Sequence, residues 1–121
     1  MRDDTVEDRF LQQLKKGVLE MLALETVCEG ATYGYELLTL LRERSDGLFT
    51  LKEGTLYPIL YRLEDDGLIT ASWSSGKGRI TPKKMYTATE KGMQERLRRR
   101  QVWQNFTDTV NGFYRGREKD D

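Results

Sequence analysis

The period of the apolar residues changes abruptly at Gly67, and this change restricts the folds that the chain can adopt. Before Gly67 the apolar residues recur every three or four positions, as they do on one face of a helix. The clearest case is the stripe at i, i+3, i+4 and i+7 formed by Leu56, Ile59, Leu60 and Leu63. Directly afterwards, residues 68–73 are β-prone, with isoleucine, threonine and tryptophan. The chain is therefore predicted to be mainly α with a small β element.

Two helices are predicted before that stripe. The first spans about residues 6–27, where apolar side chains at spacings of three and four form one broad face. The sequence Glu-Gly-Ala at residues 29–31 is expected to end it. The second helix runs from about residue 33 to residue 44, and Thr32 is expected to cap its amino terminus. A turn at residues 45–47 then separates it from the third helix.

The third predicted helix begins at about residue 51 or 53 and ends at about residue 66. Thr50 and Glu53 have the spacing of a capping box, although residues 48–51 are also compatible with a short strand. Pro58 inside this helix removes one backbone hydrogen bond and tends to bend the axis. Gly67 is a suitable helix stop, because glycine accepts the left-handed conformation that ends many helices.

A hairpin is predicted after the third helix. The β-prone residues 68–73 and a second short candidate, residues 85–88, flank a polar loop that contains glycine. A last helix follows from about residue 89 to residue 114. The order of three helices, hairpin and helix is that of a winged helix-turn-helix. We therefore predict a winged helix-turn-helix DNA-binding domain in residues 1–92, and a C-terminal dimerisation helix with a charged tail in residues 93–121.

The composition argues against an enzyme. The chain has no histidine and a single cysteine, Cys28, so it lacks the commonest general base and the commonest metal ligand and cannot form an intrachain disulfide. The glycine–lysine–glycine segment at residues 76–78 lacks the phosphate-loop pattern. No charge-free apolar run approaches the ~20 residues that span a bilayer. We expect a cytoplasmic protein without enzymatic activity, cofactor, metal or membrane contact.

The charges are unevenly distributed, although the formal net charge is +0, from 20 basic and 20 acidic residues. Residues 76–101 contain nine lysines and arginines against only Glu90 and Glu95. A local basic patch beside an acidic remainder is compatible with a surface that faces DNA. For the arginine-rich run at residues 96–100, a solvated helix face is an equally good interpretation.

The third helix is the candidate recognition helix, because small residues near the start of its outward face would let it lie deep in a major groove. The candidate contacts to phosphates or base edges are Lys52, Thr55, Tyr57, Tyr61 and Arg62 in this helix, and Lys77, Arg79, Lys83 and Lys84 in the hairpin. Two alternatives stay open. Tyr57 is as well explained by packing against the hairpin, and a basic loop taken alone is usually only solvated.

Several short motifs occur in one order between residues 14 and 93. They are Tyr33-Gly34-Tyr35-Glu36-Leu37, Gly54-Thr55-Leu56-Tyr57-Pro58, Arg62-Leu63-Glu64, Gly67-Leu68-Ile69, Trp73, Lys84-Met85-Tyr86 and Thr89-Glu90-Lys91-Gly92. In this order they resemble the PadR family of transcriptional regulators. The resemblance implies a winged helix-turn-helix, a dimer, and repression, usually of detoxification or efflux genes, relieved by a small ligand. Met85 stands where the family usually has a tyrosine, so any role of that ring is lost.

The last helix carries an apolar stripe at spacings of three, four and three, formed by Trp103, Phe106, Val110 and Phe113. A lone chain of this layout would leave the stripe exposed, and such patches usually mark an interface. The single helix after the wing also resembles the short PadR members, in which it packs against the first helix and the partner subunit. We therefore predict a homodimer with twofold symmetry and coiled-coil-like pairing.

Trp103 raises a second possibility for this helix. Its position resembles that of a tryptophan that lines a flat pocket at the dimer centre in some short, drug-responsive members. Two such rings would sandwich a planar aromatic effector, with Phe10 and Leu14 as expected neighbours. The alternative, which is slightly favoured, is that Trp103 is only a residue of the dimer core.

Two functions from different classes remain open at this point. The first is a ligand-responsive repressor that binds double-stranded DNA, at a near-palindromic operator, as a homodimer. The second is a winged-helix module that binds another protein, since fold alone does not fix function. The basic hairpin loop and the family resemblance favour the first.

Overall fold

The computed structural model describes residues 5–74 and 82–119. Its elements in chain order are α1 (Val6–Glu29), β1 (Thr32–Tyr33), α2 (Gly34–Arg44), α3 (Glu53–Asp65), β2 (Ile69–Trp73), β3 (Lys84–Ala88) and α4 (Glu90–Lys119). The predicted fold class, mainly α with a small β wing, is confirmed. Lys77 and Arg79, predicted to contact DNA from the hairpin loop, lie outside the described residues.

The ends of α1 follow from local hydrogen bonding. Thr5 accepts a hydrogen bond from the backbone N–H of Asp8 at 3.0 Å, and the backbone N–H of Thr5 donates to the Asp8 carboxylate at 3.3 Å. This reciprocal capping box satisfies two donors that a helix start would leave without partners. At the other end, the N–H of Gly30 donates to the carbonyl of Val27 at 3.2 Å. The predicted break at residues 29–31 is confirmed.

The prediction that Thr32 caps the second helix is wrong. Thr32 lies in β1, which pairs with β3 so that Thr32 is opposite Tyr86. The residue before α2 is instead Tyr33, whose backbone N–H donates to the Glu36 carboxylate at 3.0 Å. The backbone ladder with β3 competes successfully for this segment, because it pairs groups that would otherwise be buried without partners.

The wing is therefore a three-stranded antiparallel sheet and not a hairpin alone. Its strand order is β1-β3-β2, so that β3 lies in the centre and the two edges are β1 and β2. The hairpin of β2 and β3 was predicted from the sequence. β1 has only two residues and gives no pattern of its own, which is why it was missed.

The connection from α2 to α3 is a turn. Asp46 and Gly47 have positive φ angles of 53° and 89°, which lie in the left-handed region. The Thr50 hydroxyl donates to the carbonyl of Gly47 at 2.7 Å, so it does not form the expected capping box with Glu53. Residues 48–51 are not a strand, and Lys52 is the N-cap residue of α3. The helix α3 therefore begins at Glu53, which is one of the two starts predicted from the sequence.

The predicted end of α3 is confirmed in its details. Gly67 has a φ angle of 76°, and the N–H of Leu68 donates to the carbonyl of Leu63 at 2.9 Å. This pattern is a Schellman motif, which satisfies the last carbonyls of a helix and needs glycine at its left-handed position. The chain then enters β2 directly.

The stripe of α3 forms the centre of the core. Its four members are at most 5% exposed, and they pack with Leu24 and Val27 of α1, Leu37 of α2 and Tyr86 of β3. Burying one leucine or isoleucine side chain contributes about 1.5–3 kcal/mol. The inward side of α3 is therefore firmly determined, and so is the side that faces solvent.

The start of α4 is fixed against the end of α3. The Thr89 hydroxyl donates to the carbonyl of Gly67 at 2.7 Å and accepts from the N–H of Gly92 at 3.0 Å. The backbones approach so closely that a Cβ on Gly92 would lie 2.0 Å from the carbonyl oxygen of Leu68. From this point α4 runs along α1. Within the described residues, no helix is long and apolar enough to cross a membrane.

Candidate nucleic-acid interface

The outward side of α3 is open and begins with small residues. Gly54, Thr55 and Pro58 are exposed, and Tyr61 is 52% exposed. A Cβ on Gly54 would meet nothing within 4 Å. Lys52, directly before the helix, is also exposed. This side has the shape that a helix needs to enter a major groove.

Tyr57 does not point outward with Tyr61. It is half-buried, and its hydroxyl lies so close to the first residue of α2 that a Cβ on Gly34 would be 2.9 Å from it. The absence of a side chain at Gly34 therefore makes room for the Tyr57 ring. Tyr57 sets the distance between the two helices of the helix-turn-helix.

Lys84 joins the wing to α3. Its ammonium lies 5.2 Å from the ring centroid of Tyr61, 5.6 Å from that of Tyr86 and 3.8 Å from a carboxylate oxygen of Glu64. Cation–π and ion-pair attraction act together here. Lys84 therefore links β3 to α3. Lys83, the neighbouring residue, is exposed, with its ammonium 5.7 Å from the Tyr33 centroid.

Arg62 lies on the flank of α3 that faces α1. Its Nε is 3.3 Å from a carboxylate oxygen of Glu20, while its side chain is 58% exposed. The other oxygen of Glu20 is 3.8 Å from a guanidinium nitrogen of Arg99 on α4. Among the described residues Lys52 forms no ion pair, whereas Arg62 is paired with Glu20 and Tyr61 contacts Lys84.

Tyr86 of β3 is buried beneath the contact between Lys84 and α3. Its hydroxyl is the one buried side-chain oxygen or nitrogen that lacks a hydrogen-bond partner in the described part of the chain. Burial raises the pKa of Tyr86 to about 12, and the neighbouring Tyr57, Tyr61 and Glu64 act in the same direction. The phenol is therefore neutral over the whole physiological range.

The arginine-rich run of α4 is largely paired with carboxylates. Arg96 and Arg100 contact Glu25 of α1 at 2.9 and 3.2 Å. Arg98 and Arg99 contact Glu95 at 2.6 and 2.8 Å, and their hydrogen bonds lower the pKa of Glu95 to about 2. The run is thus neither a free DNA-facing patch nor a merely solvated face. Through the ion pairs of Arg96 and Arg100 with Glu25, it contributes to the packing of α4 on α1.

A groove of about 930 Å³ runs between α1 and α4. Four of the residues predicted for the dimer or effector site line it, namely Leu14, Trp103, Phe106 and Val110. The rings of Trp103 and Phe106 are 6.5 Å apart between centroids. The other two, Phe10 and Phe113, are not among its lining residues and are 63% and 78% exposed.

Sequence reasoning missed two acidic residues near these sites, and it named the aromatic residue Trp73 only as part of the family motifs. Glu20 and Glu25 contact arginines 42 or more positions later in the chain, and no local spacing signals such pairs. Trp73 lies two residues after Ala71 and four after Ile69, so the period of two in a strand places it on their side of the sheet. It is 68% exposed.

Comparison with known proteins agrees with this geometry. Residues 23–98 match the model of the Transcriptional regulator PadR-like family. A curated relative, the negative transcriptional regulator PadR of Bacillus subtilis, is 33% identical over 78 residues, which are 64% of this chain and 42% of that protein. The match thus spans less than half the length of that relative.

Solved structures give the same result over more of the chain. A PadR family transcriptional regulator from Eggerthella lenta superposes with a TM-score of 0.80 at 28% identity, covering 90% of this chain and 92% of that one. A PadR-like regulator from Bacillus cereus has a TM-score of 0.70 at 32% identity, covering 84% and 96%. The chain therefore belongs to the PadR-like family of transcriptional regulators.

Proposed function

We propose that this regulator is a repressor that binds a near-palindromic operator as a homodimer. The observation that carries the proposal is the open side of α3, which continues into the wing through the contact between Tyr61 and Lys84. In this arrangement α3 enters the major groove, and Lys52 and Lys83 meet phosphates on either side. Lys77 and Arg79 are proposed to do the same from the wing loop. That the Bacillus relative is named a negative regulator supports repression.

The homodimer is proposed to form through α1 and α4. Trp103, Phe106, Val110 and Phe113 are between 39% and 78% exposed, as are Phe10 and Leu14 of α1 at 63% and 53%. An apolar surface of this extent usually marks an interface, and closed twofold pairing is the commonest solution. Two copies related in this way would place their α3 helices in successive major grooves, roughly 34–36 Å apart. Sedimentation of a Phe106→Asp variant as a monomer is the expected result.

A planar aromatic effector is proposed to bind the groove between α1 and α4 and to change DNA affinity. Trp103 and Leu14 line this groove, and the Phe106 ring lies beside that of Trp103. A Trp73→Phe variant leaves Trp103 as the chain's remaining tryptophan. If planar dyes at micromolar concentration left its fluorescence unchanged, Trp103 would be only a dimer-core residue.

The test of DNA binding uses a labelled fragment from the gene's own upstream region, in low and moderate salt, with an unrelated duplex as competitor. Saturable binding that survives the competitor is expected, and Lys52→Ala should weaken it on every sequence. Lys16→Ala removes the same charge from α1 and should have little effect.

A protein partner is the second candidate function. The net charge of zero and the pairing of the arginine run with carboxylates leave less free positive surface than the sequence suggests. If moderate salt removed all binding and no sequence preference remained on any fragment of the genome, the side formed by α3 and the wing would be a surface for another protein.

A further inference from the structure

Trp73 is a large apolar side chain on the surface of the wing. It is the last residue of β2, an edge strand, and it is 68% exposed. Ile69 is buried and Ala71 half-buried on the same side of the strand. Trp73 is therefore exposed because β2 extends beyond the core, and not because its side chain points away from α3.

The backbone around Trp73 is held in place. The N–H of Ser74 donates to the carbonyl of Lys83 at 2.7 Å, and the N–H of Lys83 donates to the Ser74 hydroxyl at 2.9 Å. These bonds extend the pairing of β2 and β3 by one residue past the tryptophan. The backbone that carries the exposed indole is thus held by hydrogen bonds, so that no backbone ordering is needed when a ligand packs against it.

Trp73 is continuous with the side of the molecule proposed to bind DNA. It is paired in register with Lys84, and residues directly opposite in an antiparallel pair share one side of the sheet. The ammonium of Lys84 in turn lies over the ring of Tyr61. Trp73, Lys84 and Tyr61 therefore form one surface from the wing to the recognition helix. Lys84 gives this surface a positive charge, part of which Glu64 compensates.

We propose that Trp73 is a DNA-contacting residue, whose indole packs against the deoxyribose sugars beside the groove that α3 enters. This inference rests on the proposed function. Packing of an indole on deoxyribose is tolerant of sequence, because every nucleotide carries the same sugar. It also releases no counterions from phosphates, unlike a lysine contact. Trp73 therefore raises the affinity for all duplexes, and the dependence of that affinity on salt concentration is unchanged.

The experiment uses the fact that the chain has two tryptophans. In a Trp103→Phe variant, the fluorescence of Trp73 should change saturably as duplex DNA is added. Trp73→Ala should weaken binding about tenfold at each salt concentration, with an unchanged slope of log affinity against log salt. Trp73→Phe should restore most of the affinity. Ser72→Ala, on the other side of the same strand, is the matched control and should bind like the unmodified protein.

The possible outcomes separate this inference from the function on which it rests. If the unmodified protein binds DNA while Trp73→Ala binds equally well and Trp73 emission does not respond, the inference is overturned and the proposed function stands. If the unmodified protein binds no DNA, both fail. If Trp73→Ala instead converts a dimer into a monomer, Trp73 belongs to an interface between copies, which also overturns the inference. Circular dichroism of Trp73→Phe and Trp73→Ala establishes that both are folded.

Discussion

Arg62 on α3 donates a hydrogen bond to Glu20 on α1, with 3.3 Å between Nε and the carboxylate oxygen. The same carboxylate is 3.8 Å from Arg99 of α4 and lines the groove between α1 and α4. One acidic side chain therefore contacts both the helix proposed to read DNA and the helix proposed to join two subunits. The pairing also compensates part of the positive charge that α3 would present to phosphates.

Releasing Arg62 is expected to strengthen DNA binding. Glu20→Gln should raise affinity a few-fold in low salt and steepen the dependence on salt, because one more cation is then available to displace counterions. The cost in folding stability should be about 0–1 kcal/mol, the range for ion pairs at the surface. Fluorescence anisotropy over a salt series measures the first effect, and urea denaturation the second.

The control for this prediction is Glu25→Gln. It removes the same charge from α1, but Glu25 pairs with Arg96 and Arg100, and it forms no ion pair with α3 among the described residues. If both variants raised DNA affinity equally, the effect would come from net charge, and the contact between Glu20 and Arg62 would have no specific role.

Two glycines of α4 are expected to respond in opposite ways to the same substitution. Gly92→Ala should destabilise the fold by about 1–3 kcal/mol or more, because its Cβ would lie 2.0 Å from the backbone oxygen of Leu68, which cannot easily move. Gly112→Ala meets nothing within 4 Å and should stabilise the helix by up to about 1 kcal/mol. Thermal denaturation of the two variants measures both. Equal effects would mean that the close approach of α4 to Leu68 is not maintained in solution.

The sequence predicted those features whose causes are local. The stripe of α3 repeats at the helical period, so the helix was predicted correctly. Gly67 has the left-handed conformation that ends many helices, so the end of α3 was predicted correctly too. The capping positions were harder to predict. Thr32 and Thr50 were both expected to cap helices, but one pairs in a strand and the other bonds to the carbonyl of Gly47. A short polar side chain has several partners within reach, and tertiary structure decides among them.

The candidate site illustrates the same limit. Tyr61 and Lys52 were predicted to be outward, and they are exposed because the opposite side of α3 is fully buried. The engagement of Arg62 with Glu20 and of Lys84 with Tyr61 and Glu64 depends on how α1 and the wing pack on α3. A single sequence contains no periodic signal for contacts between elements so far apart in the chain.

Acid is expected to weaken the fold partly through Glu95. Hydrogen bonds from Arg98 and Arg99 lower its folded pKa to about 2, below the ordinary value of 4.5. Because the pKa is lower in the folded state, ionised Glu95 stabilises the fold above pH 4.5, and this stabilisation is lost as the pH falls towards 2. Since these pairs lie at the surface of one helix, Glu95→Gln should cost only about 1 kcal/mol at pH 7. Urea denaturation should show this difference vanish by about pH 2, whereas a loss that persisted there would contradict the assignment.

Tyr86 offers a test at the opposite end of the pH scale. Its buried hydroxyl has no partner within the described residues, so Tyr86→Phe should leave stability at pH 7 unchanged or raise it by about 1–3 kcal/mol. Burial raises the folded pKa to about 12 from an ordinary 10.0. As the pH rises from 10 towards 12, the unfolded phenol ionises before the folded one, and stability falls. Urea denaturation across this range should therefore show a steeper alkaline loss for the unmodified protein than for Tyr86→Phe. The exposed Tyr35→Phe is the control, and an equal alkaline loss in both variants would mean that Tyr86 reaches solvent or finds a partner in solution.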